Sequence, residues 1–137
     1  MTRAMIRYSP KFHEVDIELG RAAASELADM IERGRGEIAG DPAADPRPYQ
    51  RQLEAVRVAA VPSGKVVISL DDDGQALHLT GALEYMAVLA HVVRDLAAEP
   101  SPDTHVHVEY LDGHYYLAQS EIGIVLRSSP DPGPAHQ

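Results

Sequence analysis

The chain has no cysteine and no tryptophan, and only one phenylalanine among its 137 residues. Without thiols, disulfides, thiolate metal sites and cysteine nucleophiles are all excluded, and the absence suits a reducing cytoplasm. No apolar run approaches the roughly 18 residues that a membrane-spanning helix needs. The opening stretch, MTRAMIRYSPKFHEVDIEL, lacks the apolar core of a secretory signal. Basic residues are scarce too: 12 Lys and Arg stand against 21 Asp and Glu, for a formal charge of −9. That balance disfavours nucleic acid, because binding there comes from cations neutralising phosphates. It suits a basic protein partner, drawn in by long-range attraction, although solubility alone also explains such a charge.

What is present reads as one globular domain. With 45% hydrophobic and 24% charged residues, the chain is long enough to bury a core without covalent staples. The expected domain spans 1–127. The tail SSPDPGPAHQ, 128–137, has too little apolar surface to order itself.

Hydrophobic spacing gives the elements. HEVDIEL (13–19) alternates, with Val15, Ile17 and Leu19 on one side and acidic residues on the other, which predicts a half-buried strand. After Gly20, RAAASELADMIERG places Ala23, Leu27, Met30 and Ile31 at helical spacing, and Gly34 and Gly36 stop that helix. GDPAADPRP (40–48) reads as an exposed loop, and LEAVRVAAV (53–61) as a strand. KVVISL and QALHLT flank DDDG (71–74), a hairpin signal; its contiguous aspartates do not match a calcium-loop spacing.

GALEYMAVLAHVVRDLAAE (81–99) is the clearest helix. Leu83, Met86, Ala87, Ala90, Val93, Leu96 and Ala97 are assigned to its inner side, and Pro100 and Pro102 end it. HVHVEY (105–110) and IGIVLR (122–127) predict two more strands. VDIELGRAAASELADMI and ALHLTGALEYMAVLAHVV share the order strand, glycine, helix, with too little identity to define a repeat. The predicted fold is α+β: a mainly antiparallel sheet of five to six strands with two helices packed on one face.

The chemistry-bearing residues gather in THVHVEYLDGHYYL (104–117). Alternation sends Val106, Val108 and Tyr110 to the core and puts His105, His107 and Glu109 together on the other face. His-x-His is a genuine ligand spacing, and Glu109 or His114 would complete three ligands for a zinc-like ion with an open position. This gives one alternative function, a metal-binding module or metal-dependent enzyme. However, the further ligands that known His-x-His metal patterns require are missing from this chain. Nor is there a Gly-x-Ser-x-Gly elbow, a phosphate loop or a His-Glu-x-x-His pair. The expectation is therefore a non-enzymatic protein without metal or cofactor. Asp112-Gly113 predicts a turn that folds Tyr115 and Tyr116 back beside the histidine strand. His105, His107, Glu109, Asp112, Tyr115 and Tyr116 then form the candidate partner-binding patch, rich in the aromatic character that interfaces favour.

The order KVVISL, GALEYMAVLAHVVRDLAAE, HVHVEYLDGHYYL, SEIGIVLR, over residues 65–127, resembles the thirty-second numbered family of immunity proteins in bacterial polymorphic toxin systems. The shared features are a strand, an amphipathic helix, a strand reading His-x-His-hydrophobic-Glu, and a closing apolar strand. Gly123 departs from the pattern, standing where a more apolar residue is expected, and residues 1–60 lie outside the resemblance. The resemblance implies a protein that binds and neutralises a cognate toxin by occluding its functional surface, and the cysteine-free composition gives the cytoplasm as its expected location. The resemblance carries over His105, His107 and Glu109 as motif positions and implies no catalytic residue. An exposed strand edge also offers a second copy a pairing partner, which would make a homodimer.

Overall fold

A computed structural model describes residues 3–41, 47, 51–98 and 105–128. The elements are β1 (Arg3–Ser9), β2 (Glu14–Leu19), α1 (Arg21–Arg33), β3 (Arg35–Gly40), β4 (Arg51–Gln52), β5 (Ala55–Ala60), β6 (Val67–Leu70), β7 (Ala76–Gly81), α2 (Leu83–Ala98), β8 (His105–Val108) and β9 (Gly123–Ser128). The strands join one sheet in the order β6-β7-β5-β3-β1-β2-β9-β8, with β4 pairing β1. The fold is α+β as expected, but the sheet is larger and mixed. β1–β3, β2–β9 and β5–β7 are parallel pairs.

The extra strands have local causes. RAMIRYS alternates in its own right, burying Ala4, Ile6 and Tyr8. RGEIAG buries only Ile38, so its apolar signal is too weak to separate from a loop. The tail expected beyond the domain lies outside the described residues, apart from Ser128, which closes β9.

β1–β3 joins two wings, and the other two parallel pairs come from a topological repeat. Each wing of the sheet, β6-β7-β5-β3 and β1-β2-β9-β8, runs antiparallel, parallel, antiparallel. The chain makes two equivalent passes, β1-β2-α1-β3-β5 and β6-β7-α2-β8-β9, and each pass sends its last two strands into the other's wing. β5 lies beside β7, and β9 beside β2. In both passes a six-residue strand is followed by one linking residue and a helix. The linking residues are Gly20 and Ala82; Gly81, which the sequence pattern aligns with Gly20, is the last residue of β7.

The two helices lie against each other and cover the apolar face of the sheet. They enclose a core that includes Ile6, Ile17, Leu27, Ile31, Leu79, Met86 and Leu89. Arg94 of α2 donates to Asp29 of α1 at 2.8 Å across their outer edge. Gly34 closes α1 in the left-handed region (φ 78°), its N–H donating to the carbonyls of Met30 and Ile31. A Cβ there would come within 2.6 Å of Ala60 Cβ and 2.7 Å of Leu83 Cδ2.

Met86, Val93 and Leu96 are buried as expected, together with Leu89 and Ala90. Leu83 and Ala87, assigned to the inner side, are exposed. Leu83 opens the helix, with its Cδ2 beside Gly34 at the end of α1. No helix among the described residues is long and apolar enough to cross a membrane.

Candidate functional site

The face of the sheet opposite the helices carries the polar chemistry. On β2, Glu14, Asp16 and Glu18 alternate with the core residues Val15, Ile17 and Leu19. Sheet register then fixes their neighbours: Asp16 lies between Arg7 of β1 and Val125 of β9, and Val125 in turn faces His107 of β8. Glu18 lies beside Arg127, which faces His105. Charged side chains from β1, β2 and β9 therefore lie together on this face, with the histidines of β8 at their edge.

Asp16 is fully buried, and a carboxylate there is tolerable only when paired and hydrogen-bonded. Arg7 Nη2 donates to its Oδ1 at 2.9 Å, while Arg127 donates to Oδ2 from Nη2 at 2.8 Å and from Nε at 3.2 Å. Arg7 also reaches Glu18 at 3.2 Å. This network ties β1, β2 and β9 together. No single segment of sequence contains it, because bonded partners within it are up to 111 residues apart.

His105 and His107 are exposed on β8, their rings meeting edge to face with centroids 5.4 Å apart. Glu109 continues on the same face just past the strand, so the alternation is realised. Val108 is buried, while Val106 and Tyr110 pack partly buried against the core. Gly123 has a physical reason in this geometry. Glu109 crosses over it, and a Cβ at 123 would come within 3.1 Å of Glu109 Cβ.

Beyond β8 the expected patch divides. Asp112 is exposed in the turn that Leu111 and His114 close with a backbone hydrogen bond. The segment then leaves the histidine strand and runs beside Val66, just before β6: Val66 N–H donates to the Tyr116 carbonyl and Ala118 N–H to the Val66 carbonyl. Tyr115 is exposed there, whereas Tyr116 is half-buried, and burial raises its phenol above the usual range. Neither tyrosine folds back on β8, whose described partner is β9.

His114 has a structural task. Its Nδ1 accepts the backbone N–H groups of Tyr116 and Leu117, at 3.3 and 3.1 Å, and its ring stands edge-on to Tyr116. Lys65 Nζ donates to its carbonyl at 2.7 Å. Among the described residues, no group of three His, Asp or Glu side chains is placed to hold a metal ion. The aspartate-rich hairpin is likewise occupied with its own turn. Asp71 Oδ1 accepts from Gln75 N–H and Ala76 N–H, and the bond from Gln75 is the main cause of its lowered carboxyl pKa.

Sequence reasoning passed over one feature altogether. The β1–β2 hairpin and the β8–β9 connection enclose a cleft of about 280 Å³. Glu14, Glu109 and Glu121 line it, with Phe12 at the rim and Tyr110 on the wall. His13, beside Phe12, is the one described non-glycine residue with positive φ (52°). The only advance signal was the charge of −9, which gives no position. A scan of family models and searches of curated proteins and solved structures found no match to this chain.

Proposed function

We propose that the chain is a non-enzymatic binding protein of the immunity type, which neutralises a cognate, basic bacterial toxin by covering the toxin's functional surface. The observation that carries this reading is the placement of the His-x-His-x-Glu strand. His105, His107 and Glu109 face outward together, while the same strand anchors Val108 in the core. A strand end so held presents its polar residues on a rigid support, which lowers the ordering cost of binding. Tyr115 and Asp112 extend the exposed surface on the following loop. The acidic balance of the chain complements a basic partner. In this reading the protein acts in the cytoplasm, needs no cofactor, and inhibits by steric and electrostatic blockade.

The test is co-expression with the toxin encoded by the adjacent gene. Growth should be restored by the wild-type chain and reduced by the double substitution His107→Ala with Glu109→Ala, with the melting temperature unchanged. A host that dies equally with and without the wild-type chain removes the reading. A double variant that unfolds assigns the motif to the sheet and moves the contact surface elsewhere.

A further inference from the structure

The topological repeat supplies an internal control for the cleft at the β1–β2 hairpin. The equivalent position on the other wing also forms a cleft, of about 380 Å³, lined by Gly40, Gln52, Leu53, Glu54 and Gln75. The registers of the two wings map Gly40 onto Tyr110, Leu53 onto Glu121 and Gln75 onto His13. The same backbone feature is thus built with a glycine, a buried leucine and one carboxylate on one side. On the other it carries a tyrosine and three carboxylates. The fold alone does not require the second set.

Three further observations give that second set a direction. The carboxylates of Glu14, Glu109 and Glu121 have no ion pair or side-chain hydrogen bond among the described residues. Phe12, which lines the cleft, is 69% exposed, and Leu111, next in sequence to the lining residue Tyr110, is 67% exposed. The Phe12 ring already lies 5.5 Å from the Lys11 ammonium, a geometry that favours cations over the ring face. Large exposed apolar groups beside unpaired charge of one sign are the makings of an interface with a partner of the opposite sign.

We infer that this cleft is the docking surface for a basic segment of a protein partner. One arginine or lysine side chain enters between Glu14, Glu109 and Glu121, and its flanking residues pack on Phe12 and Leu111. The inference rests on the reading of the chain as a protein-binding inhibitor, and it names the chemistry of the element bound. Arginine suits the site better than lysine, because its planar fork can engage two carboxylates and stack on an aromatic ring.

The experiment is a titration of the full-length, isotopically labelled protein with a short arginine-rich peptide, followed by amide chemical shifts at low and moderate salt. Saturable shifts should concentrate at residues 12–14, 109–111 and 120–123. The double substitution Glu14→Gln with Glu121→Gln should weaken binding roughly tenfold or more, and Glu54→Gln, in the equivalent cleft, should leave it unchanged. Shifts spread evenly over all acidic residues, an equal effect of Glu54→Gln, or no saturation would each overturn the inference. A parallel titration with the catalytically inactivated toxin separates the two claims. Peptide binding at the cleft without toxin binding refutes the immunity reading and leaves the cleft standing. Toxin binding that the double substitution does not weaken refutes the cleft and leaves the immunity reading standing.

Discussion

Replacing Asp16 with asparagine is the sharpest perturbation of the scaffold that supports the proposed surface. The change keeps size and shape but removes the charge that Arg7 and Arg127 share in a fully buried position. Removing one partner of a buried ion pair typically costs ~3–5 kcal/mol, because the remaining charge is left without compensation. Two features reduce that figure here. Arg127 keeps 38% of its side chain exposed and can rehydrate, and Arg7 retains Glu18 at 3.2 Å. A loss of about 2–4 kcal/mol is expected. That is a large fraction of the ~5–15 kcal/mol that holds a domain folded.

Urea denaturation reads it directly. With a slope of about 2 kcal/mol per molar, the middle of the range for a small protein, the midpoint should fall by about 1–2 M. Glu18→Gln, which weakens only the bond to Arg7, should cost under about 1 kcal/mol. Joint replacement of Arg7 and Arg127 by Met and Asp16 by Leu should recover most of the loss, because apolar packing can substitute for a buried ion cluster. If Asp16→Asn costs less than about 1 kcal/mol, the carboxylate does not hold the three strands together and the argument from burial is wrong.

Met86→Ala removes a fully buried side chain between α2 and the sheet. It should cost ~2–5 kcal/mol in the same assay, whereas Leu83→Ala, at a position 52% exposed, should cost far less. His114→Phe keeps the ring and deletes the acceptor for two backbone N–H groups. It should cost ~1–3 kcal/mol and speed amide exchange at Tyr116 and Leu117. Tyr116, with its folded-state pKa raised by burial, favours the folded state below about pH 10. That contribution should fade as pH rises through the folded value, so wild type should lose stability relative to Tyr116→Phe in alkaline denaturation.

Local patterning made much of this molecule legible. Val15, Ile17 and Leu19 gave β2 its inner face, and Met86, Val93 and Leu96 gave α2 most of its own. The DDDG turn placed the β6–β7 hairpin, and alternation put His105 and His107 on the open face. What escaped depends on contacts far apart in sequence. β3 carries one strongly buried residue, so nothing in RGEIAG marks it as a strand until β5 pairs with it. The parallel pairs β2–β9 and β5–β7 arise from an exchange of closing strand pairs between the two passes, which hydrophobic spacing does not encode. Tyr115 and Tyr116 leave β8 because His114 turns the backbone toward Val66, a partner 50 residues earlier in the case of Tyr116. The cleft at Phe12, Glu14 and Glu121 needed two loops from opposite ends of the chain to meet.

The central claim is that this chain works by binding a toxin with the end of the sheet that carries His105, His107 and Glu109. Calorimetric titration with the catalytically inactivated product of the adjacent toxin gene tests it most directly. A saturable one-to-one complex is expected, weakened at least tenfold by His107→Ala with Glu109→Ala in a protein that still melts at the wild-type temperature. No heat of binding to the wild-type chain, at concentrations where it is folded, would contradict the account.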